Sequence, residues 1–155
     1  MSIDFYRRLV AEARADGIRK YTVRAAIPRG GKLLVLNRPQ DYSGIGSLDE
    51  FVGGKVRPGE HLGAALNREV VQEIGWYARD VRRYLGHRDF RTGEGIKVRE
   101  FYFEVRTSIP SNFRLESIPI RLSEDHVSYA WVRKRELEAT RMSRAVIGML
   151  RQYYN

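Results

Sequence analysis

The chain of 155 residues contains no cysteine, which excludes disulfides, thiolate metal sites and a cysteine nucleophile. Any bound metal has to be held by oxygen or by histidine, of which there are three. No apolar run approaches the span of a bilayer, and the N-terminus, with Arg7 and Arg8 in an amphipathic pattern, lacks the apolar core of a secretory signal. The expectation is a cytoplasmic protein with no membrane partner. Acidic residues are scarce beside basic ones, 19 against 28, for a formal charge of +9. That balance favours anionic ligands and speeds their encounter, and phosphorylated small molecules and nucleic acids both fit it. Repeats, Ser/Gly linkers and breaks in composition are also absent, so residues 1–155 read as a single domain long enough to bury a core.

Hydrophobic periodicity supplies the elements. Ile3, Tyr6, Leu9, Val10 and Ala13 recur at helical spacing, predicting an amphipathic helix from Ser2 to about Ala15 that closes near Gly17. Residues 1–17 thus form a helical extension. Tyr21–Ile27 and Lys32–Leu36 read as strands joined into a hairpin by Pro28-Arg29-Gly30-Gly31, followed by an exposed loop over Pro39–Ser47. Val81–Phe90 and Ile96–Thr107 flank the Gly-containing turn Arg91–Gly95, as in an antiparallel pair. Ile109–Ile120, with two prolines, reads as loop, His126–Val132 as a strand, and Ser143–Tyr154 as a closing helix. This order suits an α+β sandwich.

The chemistry concentrates between residues 54 and 76. His61–Ile74 has no proline, carries Leu62, Ala65, Leu66, Val70 and Ile74 at helical spacing, and ends at Gly75, a favoured helix stop. On that helix Glu69 lies one turn from Gln72 and Glu73, so three oxygen-bearing side chains share a face. Side-by-side carboxylates repel unless a cation lies between them.

The spacing Gly54, Glu60, Arg68-Glu69-Val70, Glu73 and Gly75-Trp76 resembles the signature of the Nudix hydrolases. Gln72 departs from it, standing where the family has the first Glu of a pair, and Val52 stands where many members have Pro. Ser123–Val132, followed by Glu136-Leu137, is similar to the later family segment in which an acidic pair and a His precede an aromatic strand. The resemblance covers about Tyr21 to Leu137 and implies the Nudix fold, an α/β/α sandwich with a mixed sheet, here with N-terminal and C-terminal helices added.

That resemblance implies a hydrolase cleaving a diphosphate linkage in a nucleoside diphosphate derivative: a nucleoside triphosphate, a nucleotide sugar or a dinucleoside polyphosphate. It implies Mg²⁺ as cofactor, with Mn²⁺ as the alternative. The catalytic group is Glu60, Arg68, Glu69 and Glu73, in which Glu69 and Glu73 ligate the metal, one carboxylate takes a proton from water, and Glu60 with Arg68 ties loop to helix. Gly54 is expected to offer its carbonyl to the cation. An amide at Gln72 can ligate Mg²⁺ but brings no charge. Glu124 and Asp125 are candidates to complete the ligand set, with Glu116 a poorer one. Arg88, Arg99 and Tyr102 are candidates to contact substrate, and Tyr42, Phe90 and Phe113 either stack on a base or fill core. His61 is expected to be solvated in the first helical turn and His126 to be a structural hydrogen-bonder. Two other readings stay open: a catalytically impaired Nudix domain that binds a nucleotide or protein partner, and an RNA-end-processing protein, for which the charge of +9 argues. A homodimer is the alternative to a monomer.

Overall fold

The computed structural model describes residues 1–40, 48–109 and 113–154; Tyr42 and most of the Pro39–Ser47 loop lie outside them, as does the side chain of Glu116. Its elements in chain order are α1 (Ile3–Ala15), β1 (Lys20–Ala26), β2 (Pro28–Arg29), β3 (Lys32–Asn37), β4 (Asp49–Glu50), β5 (Val52–Lys55), α2 (Leu62–Ile74), β6 (Ala78–Arg91), β7 (Lys97–Thr107), β8 (Ser128–Arg133) and α3 (Arg144–Tyr154). Short 3₁₀ turns cover Leu115–Ser117 and Lys134–Ala139. No helix among the described residues is long and apolar enough to cross a membrane.

The strands form two four-stranded sheets. One has the order β5-β1-β7-β6, with β1 parallel to β7 and the other neighbours antiparallel. The other holds β2, β3 and β4, with β8 paired to β3. The first is therefore the mixed sheet expected of an α+β Nudix sandwich. Tyr6, Leu9 and Ala13 of α1 and Leu62, Leu66, Val70 and Ile74 of α2 share one core with Phe101, Phe103 and Val105 of β7. Val146, Ile147 and Leu150 of α3 belong to a second core with Leu33, Val35, Phe51 and Leu85. Helices thus cover both sides.

The hairpin expected from residues 21–36 forms only at its tip. β2 and β3 pair across Gly30-Gly31, which take the positive φ values of 54° and 74° that a tight hairpin turn requires. β1 itself leaves for the other sheet. The physical reason is burial on both faces: Val23, Ala25, Ala26 and Ile27 are all essentially inaccessible, as suits a central strand between two neighbours. β6 runs three residues further at its start than its hydrophobic pattern predicted, and it does so irregularly. Register against β7 slips between Ala78 and Asp80, between Val81 and Arg83, and between Tyr84 and Gly86, leaving Arg79, Arg82 and Leu85 as the extra residues.

α2 begins and ends through side chains the sequence displays. His61, expected to be solvated, is its N-cap: Nδ1 accepts the Ala64 N–H at 3.2 Å and the ring stacks on Tyr6, 5.9 Å between centroids. At the other end Gly75 adopts φ 76°, the left-handed conformation that ends a helix at little cost for glycine.

Candidate active site

A cleft of about 1110 Å³ opens between α2, β5 and the β6–β7 hairpin. Two carboxylates of α2 meet the backbone of β5 at its base. Glu73, 7% exposed, accepts the Gly53 N–H through Oε2 at 2.9 Å. Glu69 lies against Gly54 so closely that a Cβ there would come within 2.6–2.8 Å of its carboxylate atoms. Glycine at 54 is thus a condition for this approach. Gly53 is equally constrained, since a Cβ would stand 1.9 Å from the Val23 carbonyl oxygen across the sheet.

Arg68 ties this arrangement to the loop before α2. Its guanidinium donates to Glu60 Oε1 and Oε2 at 2.8 and 3.0 Å, to the Lys55 carbonyl at 2.8 Å, to Glu69 Oε1 at 2.6 Å and to Gln72 Oε1 at 3.3 Å. All five N–H donors of the side chain are engaged. Glu60 also accepts the Arg57 N–H at 2.9 Å, closing the loop upon itself. The hydrogen bond from Arg68 is the main reason that the Glu60 carboxyl is held below the usual range. Gln72 is exposed, one turn from Glu69 and on the rim of the cleft.

Glu73 has the opposite electrostatics. Burial pushes its carboxyl up to about 7, against the Gly53 N–H and Arg24, which pull it down. It is not part of a solvated acidic face but a buried acid that titrates near neutrality.

The wall facing these carboxylates is a buried ladder of alternating charge. Arg24 reaches Glu100 through Nε at 2.8 Å and Glu50 at 3.0 Å. Glu50 Oε1 also pairs with Arg38 at 2.9 Å and with His126 Nε2 at 2.9 Å. Arg88 donates to Glu100 Oε1 at 2.8 Å and lies 4.9 Å above the Phe90 ring. The Tyr102 hydroxyl donates to the same Glu100 oxygen at 2.5 Å. Burial opposes the charge on Glu100, but Arg24 and Arg88 outweigh it and bring its carboxyl down to about 2. Glu100 therefore stays ionised at any physiological pH.

Of the residues expected to touch substrate, Arg88 and Tyr102 line the cleft and Arg99 does not. Side chains alternate along β7, so Arg99 points away from the face shared by Glu100 and Tyr102. It forks onto Asp89 at 2.7 and 2.8 Å and reaches Asp16, beyond the end of α1, at 2.8 Å. Asp125 lines the cleft; Glu124 is exposed and outside it. His126 is buried and bonded to Glu50, the structural partnership expected of it. Phe90 lines the cleft, and Phe113 is exposed beyond it. Arg24, Glu50 and Glu100 were missed in the sequence. The signal for Arg24 was a charged residue between apolar neighbours, Val23-Arg24-Ala25, and for Glu100 a charge on the strand face that also carries Tyr102; Glu50, beside Asp49, gave none.

The NUDIX domain model matches residues 19–153. The chain belongs to the Nudix family. A CTP pyrophosphohydrolase of Escherichia coli (strain K12) is 47% identical over 53 residues, which are 34% of this chain and 38% of that protein. The Nudix fold is shared with the solution structure of the E. coli ORF135 protein, at TM-score 0.66 and 27% identity over 88% of this chain and 89% of that one. It is also shared with the crystal structure of a MutT protein from Methanosarcina mazei Go1, at TM-score 0.68 and 23% identity over 86% and 91%. The helix that carries Glu69 and Glu73 lies within the matched residues, in the segment Gly54–Trp76 that resembles the family signature.

Proposed function

We propose that this Nudix protein is a divalent-cation-dependent pyrophosphohydrolase that cleaves a diphosphate linkage in a nucleoside triphosphate or a related nucleoside diphosphate derivative. The observation that carries the reading is the convergence of Glu69 and Glu73 on the Gly53-Gly54 backbone in a cleft walled by fixed guanidinium groups. Cytidine triphosphate is the first substrate to test, because of the E. coli relative. Residues 1–155 are taken as one catalytic domain with residues 1–17 as its helical extension, and the lack of cysteine suits a cytoplasmic location.

Among the described residues, no three His, Cys, Asp or Glu side chains form a group that could hold a metal ion by themselves. The two carboxylates that converge on the Gly53-Gly54 backbone suit Mg²⁺, which keeps several waters and is held by one or two carboxylates together with substrate phosphates. Glu69, Glu73 and the amide oxygen of Gln72 would hold it, with the Gly54 carbonyl and Asp125 as further donors. When bound, it supplies positive charge at the phosphoryl oxygens and acidifies water. Arg68 orients Glu69 while fixing the loop through Glu60. Glu73, with Oε2 held by Gly53, keeps Oε1 to take up a proton from the attacking water. Arg24 and Arg88, locked by Glu100, present cationic edges to the phosphates without having to be ordered on binding. Phe90 beneath Arg88 offers a face on which a base can stack.

The test is release of phosphate and pyrophosphate from a panel of nucleoside triphosphates, a nucleotide sugar and a dinucleoside polyphosphate, each with Mg²⁺, Mn²⁺ or EDTA. Cation-dependent turnover on a member of the panel is the expected result. Nucleotide binding without turnover under either cation would replace the proposal by a binding domain. Turnover confined to 5′-triphosphorylated RNA, with a steep salt dependence, would move it to RNA ends.

A further inference from the structure

A second cleft, of about 460 Å³, lies where β2 meets the far ends of β6 and β7. Arg29, Arg79, Arg82 and Arg106 line it together with Glu104 and Thr107. Glu104 is already neutralised, by Arg83 at 2.7 Å and by the Tyr154 hydroxyl. Among the described residues Arg82 has only a loose partner, Asp80 at 3.8 Å, and both are half-exposed. Arg79 and Arg106 make no ion pair with any described residue. Like charges gathered around a concavity raise its potential and create a demand for an anion.

The backbone shows how the arginines come to share this face. Regular alternation would send Arg79 and Arg82 to opposite sides of β6, three positions apart. The register slips on either side of Asp80 each insert one residue, and the inserted residues are Arg79 and Arg82. Both then stand beside Arg106, which occupies the same face of β7 as Glu104. Two interruptions of a long strand ladder thus re-aim two arginines into one cleft.

The lining also defines the ligand. No aromatic side chain lines it among the described residues, which offer no platform for stacked bases, and single-stranded nucleic acid is disfavoured. The volume suits a small molecule, and guanidinium forks match phosphate oxygens in pairs. Glu100 at the catalytic cleft and Arg106 here are six residues apart on β7, about 20 Å at the rise of a strand, so one diphosphate cannot span both sites.

We propose that this cleft is a second anion site that binds a compact, multiply charged phosphate group such as a diphosphate. The test is an NMR titration of the whole protein with inorganic pyrophosphate in EDTA, where hydrolysis does not interfere. Saturable shifts of the Arg82, Arg106 and Thr107 amides are expected, and Arg82→Gln combined with Arg106→Gln should weaken that binding by about tenfold or more. Both side chains are exposed, so the fold survives; an unchanged amide pattern elsewhere checks this, and Arg106→Lys should restore part of the affinity. Equal affinity for pyrophosphate and a nucleoside diphosphate assigns the ligand as the phosphate pair alone, and tighter nucleotide binding assigns a nucleotide-borne one. Shifts confined to Gly53 and Gly54, or binding indifferent to the double substitution, would overturn the proposal. So would an oligonucleotide that moves the same amides when pyrophosphate does not.

Discussion

Replacing Glu73 by Gln changes a charge while keeping the shape and the acceptor for the Gly53 N–H. The wild-type carboxyl is raised by burial to about 7 in the folded protein, against an ordinary value of 4.5. The folded state thus holds its proton more tightly than the unfolded one. The associated stability is fully present below pH 4.5 and is lost as pH rises through 7. Above that pH the buried carboxylate costs about 3 kcal/mol, the free-energy equivalent of that difference. Glu73→Gln removes the cost. In EDTA at pH 8 the variant should be more stable by on the order of 3 kcal/mol, a rise in Tm of about 5–10 °C for a chain of this length. At pH 4.5 the two proteins should melt together. Turnover should fall by about a hundredfold or more, since the proton acceptor and the negative charge on a metal ligand vanish together. Thermal melts at both pH values, with EDTA and with excess Mg²⁺, measure all of this; Mg²⁺ should raise only the wild-type Tm. A variant no more stable than wild type at pH 8, or a difference indifferent to pH, would refute the reasoning.

Gly54→Ala should leave the fold intact but displace the Glu69 carboxylate, lowering turnover and raising the Mg²⁺ midpoint, both read from one metal titration of activity. Gln72→Glu adds a carboxylate beside Glu69 on the cleft rim and should shift that midpoint to lower Mg²⁺. An unchanged midpoint would place Gln72 outside the coordination sphere. Arg99→Gln leaves Asp89 and Asp16 without their partner and should lower stability by about 1–3 kcal/mol in urea melts, with KM unaltered. A large rise in KM would return Arg99 to the substrate.

The helices were the most legible elements, because an apolar stripe with a capping residue and a terminal glycine is a local property. The loop-helix arrangement of Glu60, Arg68, Glu69 and Glu73 was legible through the same spacing. Depth was not: helical periodicity puts Glu69 and Glu73 on one face, but whether that face meets water or the β5 backbone depends on a strand whose Gly53 and Gly54 carry no strand signal. β5 was missed for that reason, and β4 because Asp49 and Glu50 are poor strand formers. Arg24, Glu50 and Glu100 pair across about 26 to 76 positions of sequence, a distance that no local pattern spans. Arg99 failed in the other direction, since alternation along β7 already separated it from Tyr102.

The parallel junction of β1 with β7 joins Thr22 to Glu100 across 78 positions. The β6–β7 hairpin closes over a short turn and can form early, within microseconds, whereas β1 must wait for a long loop to close. Arg24 and Glu100 meet only at that closure, so the charged wall is one of the last parts of the molecule to assemble. On the ribosome the same order holds in time: Glu69 and Glu73 emerge before β7 exists to face them. A newly made chain therefore carries its acidic segment for a period without Arg88 and Glu100 opposite it, and the cleft is complete only after Val146, the last residue of its lining, has left the exit tunnel.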